Sequence, residues 1–201
     1  MRVKGLTQSK TVFLLVFVAF WFAFVSSALS AGTGPNWIQF MFGEEKTPKI
    51  NVTRSDFDRV EFEVKIFGMW SEELETKGGV FNQLSIPECG ITNVIGEPKL
   101  PVIRKMIQVP YGAEVYVEVI TSQVSEKSLS ELGITNRIIP VQPPVPKIEG
   151  AWEKAEFVIH EDFYQTDQFF PTQVAKKGEI AIIRGHRFVM VEVYPVSYNP
   201  K

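Results

Sequence analysis

A chain of 201 residues, 45% hydrophobic and 12% aromatic with sixteen Phe, holds one domain with its own core and leaves no room for a large enzyme plus an accessory module. A net charge of -2 excludes the basic footprint of a nucleic-acid-binding protein, and Arg2, Lys4 and Lys10 are all near the start, so the remainder is more acidic still. The single cysteine, Cys89, excludes an internal disulfide framework.

Residues 1–31 read as a signal peptide. Met1–Lys10 is basic, Thr11–Val25 is an unbroken apolar helical run, and Ser26–Ala31 supplies small residues before Gly32-Thr33-Gly34-Pro35. The competing reading is an uncleaved membrane anchor. Contact with a membrane is expected only through this segment, during export. Residues 32–59 form a lead-in, and 60–201 a domain.

From Trp37 onward the apolar period is two. Val60, Phe62, Val64 and Ile66 alternate with Glu61, Glu63 and Lys65, which predicts a strand with one buried and one wet face. Further strands are expected at Val80–Ile86, Val102–Val109, Val115–Val119, Phe157–Ile159, Ile180–Ile183 and Phe188–Val196. No long helical stretch interrupts them, and Ser125–Leu132 forms at most a short helix. Short strands separated by Gly and Pro turns, without crossover helices, imply an all-β fold: an antiparallel, jelly-roll-like β-sandwich.

Ile139–Ala155 breaks this rhythm, with Pro140, Pro143, Pro144 and Pro146 followed by Gly150. Proline supplies no ladder donor, so a long exposed loop is expected here, either a binding element or a plain crossing between sheets.

Catalytic chemistry is not visible. Cys89, in Pro87-Glu88-Cys89-Gly90, lacks a nucleophile elbow, and His186 reads as part of a basic turn. His160-Glu161-Asp162 has no spaced second histidine to complete a metal site. No catalytic residue, cofactor or metal is expected.

Two stretches carry a family pattern. Gly96-Glu97-Pro98-Lys99-Leu100-Pro101, followed by Pro110, Gly112-Ala113 and alternating Val115–Val119, resembles the G-x-P-x-L-P … P-x-G-A-x-V-x-V pattern of gingipain-type propeptides. Tyr164, Phe169-Phe170-Pro171, Arg184-Gly185 and Pro195-Val196-Ser197-Tyr198-Asn199-Pro200 resemble the tail of the same family, the N-terminal prodomains of C25 cysteine peptidases. The resemblance implies a secreted prodomain that assists folding of a C25-type peptidase domain, in cis or in trans, and keeps it latent. Export to the periplasm, the cell surface or the medium of a bacterium follows from it. In the Arg- and Lys-specific members a prodomain loop presents a basic side chain to the substrate cleft; the equivalent run here is Pro140–Lys154, with Lys147 the first candidate and Lys154 the second. The peptidase domain with its catalytic His and Cys is not part of this sequence. The family continues into a further strand beyond Asn199-Pro200, so Phe188–Val196 is expected to lack its last neighbour and to form an open edge. A secreted or cell-surface binding module using the proline-rich loop is the other functional reading.

Overall fold

The computed structural model describes residues 34–201; the expected signal peptide lies outside them. The fold is an antiparallel β-sandwich. Its strands are β1 (Asn36–Gln39), β2 (Lys49–Ser55), β3 (Val60–Lys65), β4 (Gly68–Thr76), β5 (Gly79–Ser85), β6 (Gly90–Ile91), β7 (Pro101–Gln108), β8 (Ala175–Ile183) and β9 (His186–Val193). Two single-turn helices, α1 (Ala151–Lys154) and α2 (Glu161–Tyr164), lie between β7 and β8.

The first sheet has the order β1-β4-β5. Its central strand is β4, which the alternation of the sequence does not reveal: Gly68 and Ser71 occupy buried positions, and Glu72, Glu73 and Glu75 dilute the apolar signal. At Gly68 a Cβ would sit 2.3 Å from the Ile38 carbonyl oxygen, so only glycine lets β1 and the Trp37 ring close over it. Trp37 and Trp70 are cross-strand partners and meet edge to face at 5.1 Å. Lys77-Gly78 is the two-residue turn joining β4 to β5, with Thr76 opposite Gly79.

The second sheet has the order β6-β7-β9-β8. β9 therefore has a neighbour on both sides, which corrects the expected open edge at Phe188–Val196; the outer edge is β8. Strands β2 and β3 make a separate two-stranded hairpin. The lead-in thus supplies β1 and β2, partners of β4 and β3.

Leu100, Val102, Ile138 and Val189 are fully buried, together with Pro98, Pro101 and Pro140. Ile38, Met69, Leu84, Ile134, Tyr164 and Tyr198 share a cluster with Leu100 and Ile138. The tail motif is therefore structural. Tyr164 donates to the Ile138 carbonyl at 2.8 Å, Tyr198 packs beside Tyr164, and Phe170 exchanges backbone hydrogen bonds with Tyr198. Burial raises the Tyr164 phenol well above its ordinary pKa, so it stays a neutral donor.

Two expected strands are not in ladders. Val115–Val119 is without a strand neighbour among the described residues. Val115 and Val117 still turn inward while Tyr116 is 82% exposed. Alternation sets which side chains face in, and a ladder needs a free backbone edge alongside. Phe157–Ile159 spends its central amide, that of Val158, on the Gln142 side chain.

Candidate functional site: a necked proline-rich loop

The proline-rich run divides into a buried leg and an exposed tip. The expectation of one long exposed loop from Ile139 fails for the first leg, because Ile139, Pro140 and Val141 are buried. The amides of Ile139 and Val141 donate to Asn82 and Glu97 at 2.9 and 2.8 Å, while Lys99 and Gly96 donate to the carbonyls of Ile139 and Val141. Pro140 sits between two residues that do have donors, so its missing N–H leaves nothing unpaired.

The two legs are tied together at a neck. The Gln142 carboxamide donates to the Val158 carbonyl at 2.8 Å and accepts from the Val158 amide at 2.9 Å. One side chain thus replaces the ladder that Phe157–Ile159 lacks. Beneath it, Gly96 accepts from the His160 amide and donates to Val141, bridging both legs. Its φ of 84° and a His160 ring only 2.6 Å from a would-be Cβ make glycine necessary there.

Beyond the neck the returning leg leans on the β4–β5 turn. Phe157 stacks on buried Phe81 at 5.3 Å and lies so close over Gly78 that a Cβ there would come within 2.3 Å of its ring. Lys77 Nζ donates to the carbonyls of Trp152, Glu153 and Ala155 at 2.5, 3.0 and 2.8 Å. Those are the open acceptors at the C-terminal end of α1, where a cation is favoured. Gly150, with φ 72°, turns the chain into α1.

The tip carries both basic residues read from the sequence. Lys147 lies just ahead of Gly150, Lys154 is the last residue of α1, and both side chains are exposed. Between them Ile148 and Trp152 are 68% and 70% exposed. Lys77, Gln142 and Trp152 escaped the sequence reading. Only Trp152 left a trace, as an aromatic in a polar loop; the partners of Lys77 are some 75 residues away along the chain.

Glu161 and Cys89 are both committed to the scaffold. Glu161 accepts from both terminal nitrogens of Arg137 at 2.8 and 3.3 Å; these hydrogen bonds hold its carboxyl below the ordinary value. The Arg137 guanidinium lies 5.1 Å over Tyr164 and 5.7 Å over Phe81. Cys89 packs against the core, and burial, then Glu88, push its thiol up to about 11, the opposite of an activated nucleophile.

The family model for C25 propeptides, Propeptide_C25, matches residues 44–201. Lys-gingipain of Porphyromonas gingivalis is 29% identical over 153 residues, which are 76% of this chain and 9% of that protein. Gingipain R2 of the same organism is 22% identical over 155 residues, 77% of this chain and 20% of that protein. The chain therefore spans a small part of the length of these relatives. Among solved structures, a chain from a study of the zymogenic latency of Porphyromonas gingivalis gingipain K superposes with a TM-score of 0.70 at 27% identity, covering 83% of this chain and 88% of the other. A chain from the complex of Porphyromonas gingivalis RgpB pro- and mature domains superposes with a TM-score of 0.60 at 21% identity, covering 75% of each.

Proposed function

The chain belongs to the C25 propeptide family, and from that premise we propose that it is an exported prodomain that assists folding of a C25-type cysteine peptidase and holds it latent. Residues 1–31 direct export to the periplasm or cell surface, and 60–201 act as the prodomain proper, with 32–59 as its lead-in. The loop beyond the Gln142 neck enters the substrate cleft of the peptidase, with Lys147 as the basic side chain and Lys154 as its weaker alternate. The chain supplies no catalytic residue of its own.

The observation that carries this reading is the loop: an exposed lysine on a tip whose base is pinned by side-chain and backbone hydrogen bonds. A substrate-like segment inhibits when its conformation is set in advance, because less ordering entropy is lost on binding. Titrating the mature peptidase domain of Lys-gingipain with this chain tests it. Inhibition at micromolar concentration is expected, weakened about tenfold or more by Lys147→Ala, on the scale of a lost charge-assisted contact. No inhibition by the unaltered chain at that concentration overturns the inhibitory role. Refolding the denatured peptidase with and without the chain tests the folding role, and equal yields overturn it.

A further inference from the structure

We infer that the loop's main anchor in its partner is Trp152, presented by α1 and held in place by Lys77, with Ile148 on the same tip. This rests on the reading that the loop enters a C25-type peptidase cleft, and adds the contact that supplies its affinity.

Three observations lead there. From 144 to 154 the tip carries Lys147 and Lys154 against Glu149 and Glu153, so it has no net charge to draw in a partner. Long-range attraction is weak for such a tip, and its affinity has to come from buried surface. The large apolar surface available is Trp152 with Ile148, at 70% and 68% exposure. Tryptophan is the side chain that most often dominates an interface when a partner covers it. The third observation is the attachment. Lys77 gives all three of its protons to the carbonyls of Trp152, Glu153 and Ala155, which fixes the backbone bearing the indole. An exposed indole on a fixed backbone loses little freedom on docking. By contrast Trp37 and Trp70 pack edge to face against one another in the first sheet, with the Lys46 ammonium over their rings. The partner surface complementary to this tip is a cleft with an apolar wall beside the pocket that takes the lysine.

The test compares the unaltered chain, Lys147→Ala, Trp152→Ala and Lys77→Met as inhibitors of the mature peptidase domain of Lys-gingipain. A chain with Pro144–Lys154 replaced by a Gly/Ser linker serves as the loop-less reference. Trp152→Ala is expected to weaken inhibition about 30-fold or more, the scale of a hot-spot truncation, with the melting temperature unchanged. Trp152→Phe recovers part of the loss. Lys77→Met keeps the aliphatic stem and Trp152 itself, yet is expected to weaken inhibition about tenfold. It should also raise the rate at which trypsin cuts after Lys147 in the free chain, a readout of loop order independent of any peptidase partner. If the linker variant inhibits as well as the unaltered chain, the cleft-entering loop fails, and this inference with it. If the linker abolishes inhibition but Trp152→Ala stays within threefold of the unaltered chain, the anchor is wrong and the loop reading stands.

Discussion

Segments 137–141 and 113–124 are both extended and both outside regular strands, yet they behave in opposite ways. The first crosses the core, with Ile138 and Pro140 fully buried, and links β5 to the run Gly96–Lys99 through backbone hydrogen bonds on both sides. The second runs over the surface with Tyr116, Ile120 and Val124 exposed. It is fastened at its start by Arg187, whose Nη1 donates to the carbonyls of Pro110 and Ala113 at 2.8 Å. What separates them is the supply of backbone partners. Segment 137–141 lies between two edges, β5 and the Gly96–Lys99 run, each with donors and acceptors facing it. A buried backbone must have such partners, and an exposed one is served by water.

The sharpest way to break this contrast uses the same substitution in both segments. Ile138→Ala removes a fully buried side chain and is expected to cost about 2–5 kcal/mol. Ile120→Ala, at a position 68% exposed, is expected to stay within about 0.5 kcal/mol. Thermal or urea denaturation reads both; near-equal losses would mean that segment 113–124 is packed in solution.

The contrast also marks how far the sequence is legible. Period-two alternation locates β3, and Gly and Pro turns bracket β5 and β7, whose facing is less regular: Asn82 is buried in β5, and Val102 and Ile103 are both buried in β7. Alternation misses β4, whose buried positions include Gly68 and Ser71. It accepts Val115–Val119, because alternation reports facing and is silent about neighbours. Proline content locates the loop correctly but misplaces its beginning: Pro140 is compatible with burial once Ile139 and Val141 carry the hydrogen bonds. The neck is the least legible part. Gln142 and Lys77 are ordinary polar residues whose roles come from groups brought close only by the fold.

Glycine offers a second comparison. Gly96 and Gly112 both have left-handed φ, 84° and 74°, but Gly96 is wedged against His160 whereas nothing lies within 4 Å of a Cβ at Gly112. Gly112→Ala is expected to cost about 1 kcal/mol from backbone strain alone. Gly96→Ala adds the collision with the imidazole and about 1–3 kcal/mol more. Equal destabilisation by the two would show that the loop legs yield around position 96.

At the neck, Gln142→Ala leaves the Val158 N–H and C=O without their partner. A loss of about 1–2 kcal/mol is expected. Trypsin cleavage after Lys147 or Lys154 should become faster as well, because the legs above the Gly96 bridge are then free to part. Cleavage unchanged from the unaltered chain would move the closure of the loop from Gln142 to Lys77 and Phe157.

The smallest effect belongs to the surface segment. Arg187→Met removes both side-chain hydrogen bonds that fasten its start, yet its cost is expected to stay below about 1 kcal/mol, because Pro110 and Ala113 can turn to water. Amide hydrogen exchange distinguishes the segments independently of stability. Ile139 and Val141, whose donors are held inside the core, exchange only through large-scale opening, while Val115 and Val117 exchange rapidly in both the unaltered chain and the variant. Slow exchange at Val115 and Val117 in the isolated chain would mean that the segment has acquired a ladder in solution, and the contrast with 137–141 would fall. Slow exchange appearing there only when the Lys-gingipain peptidase domain is added would keep the contrast and identify 113–124 as a strand completed by its partner, since an extended backbone with alternating side chains and no neighbour is the geometry that strand addition requires.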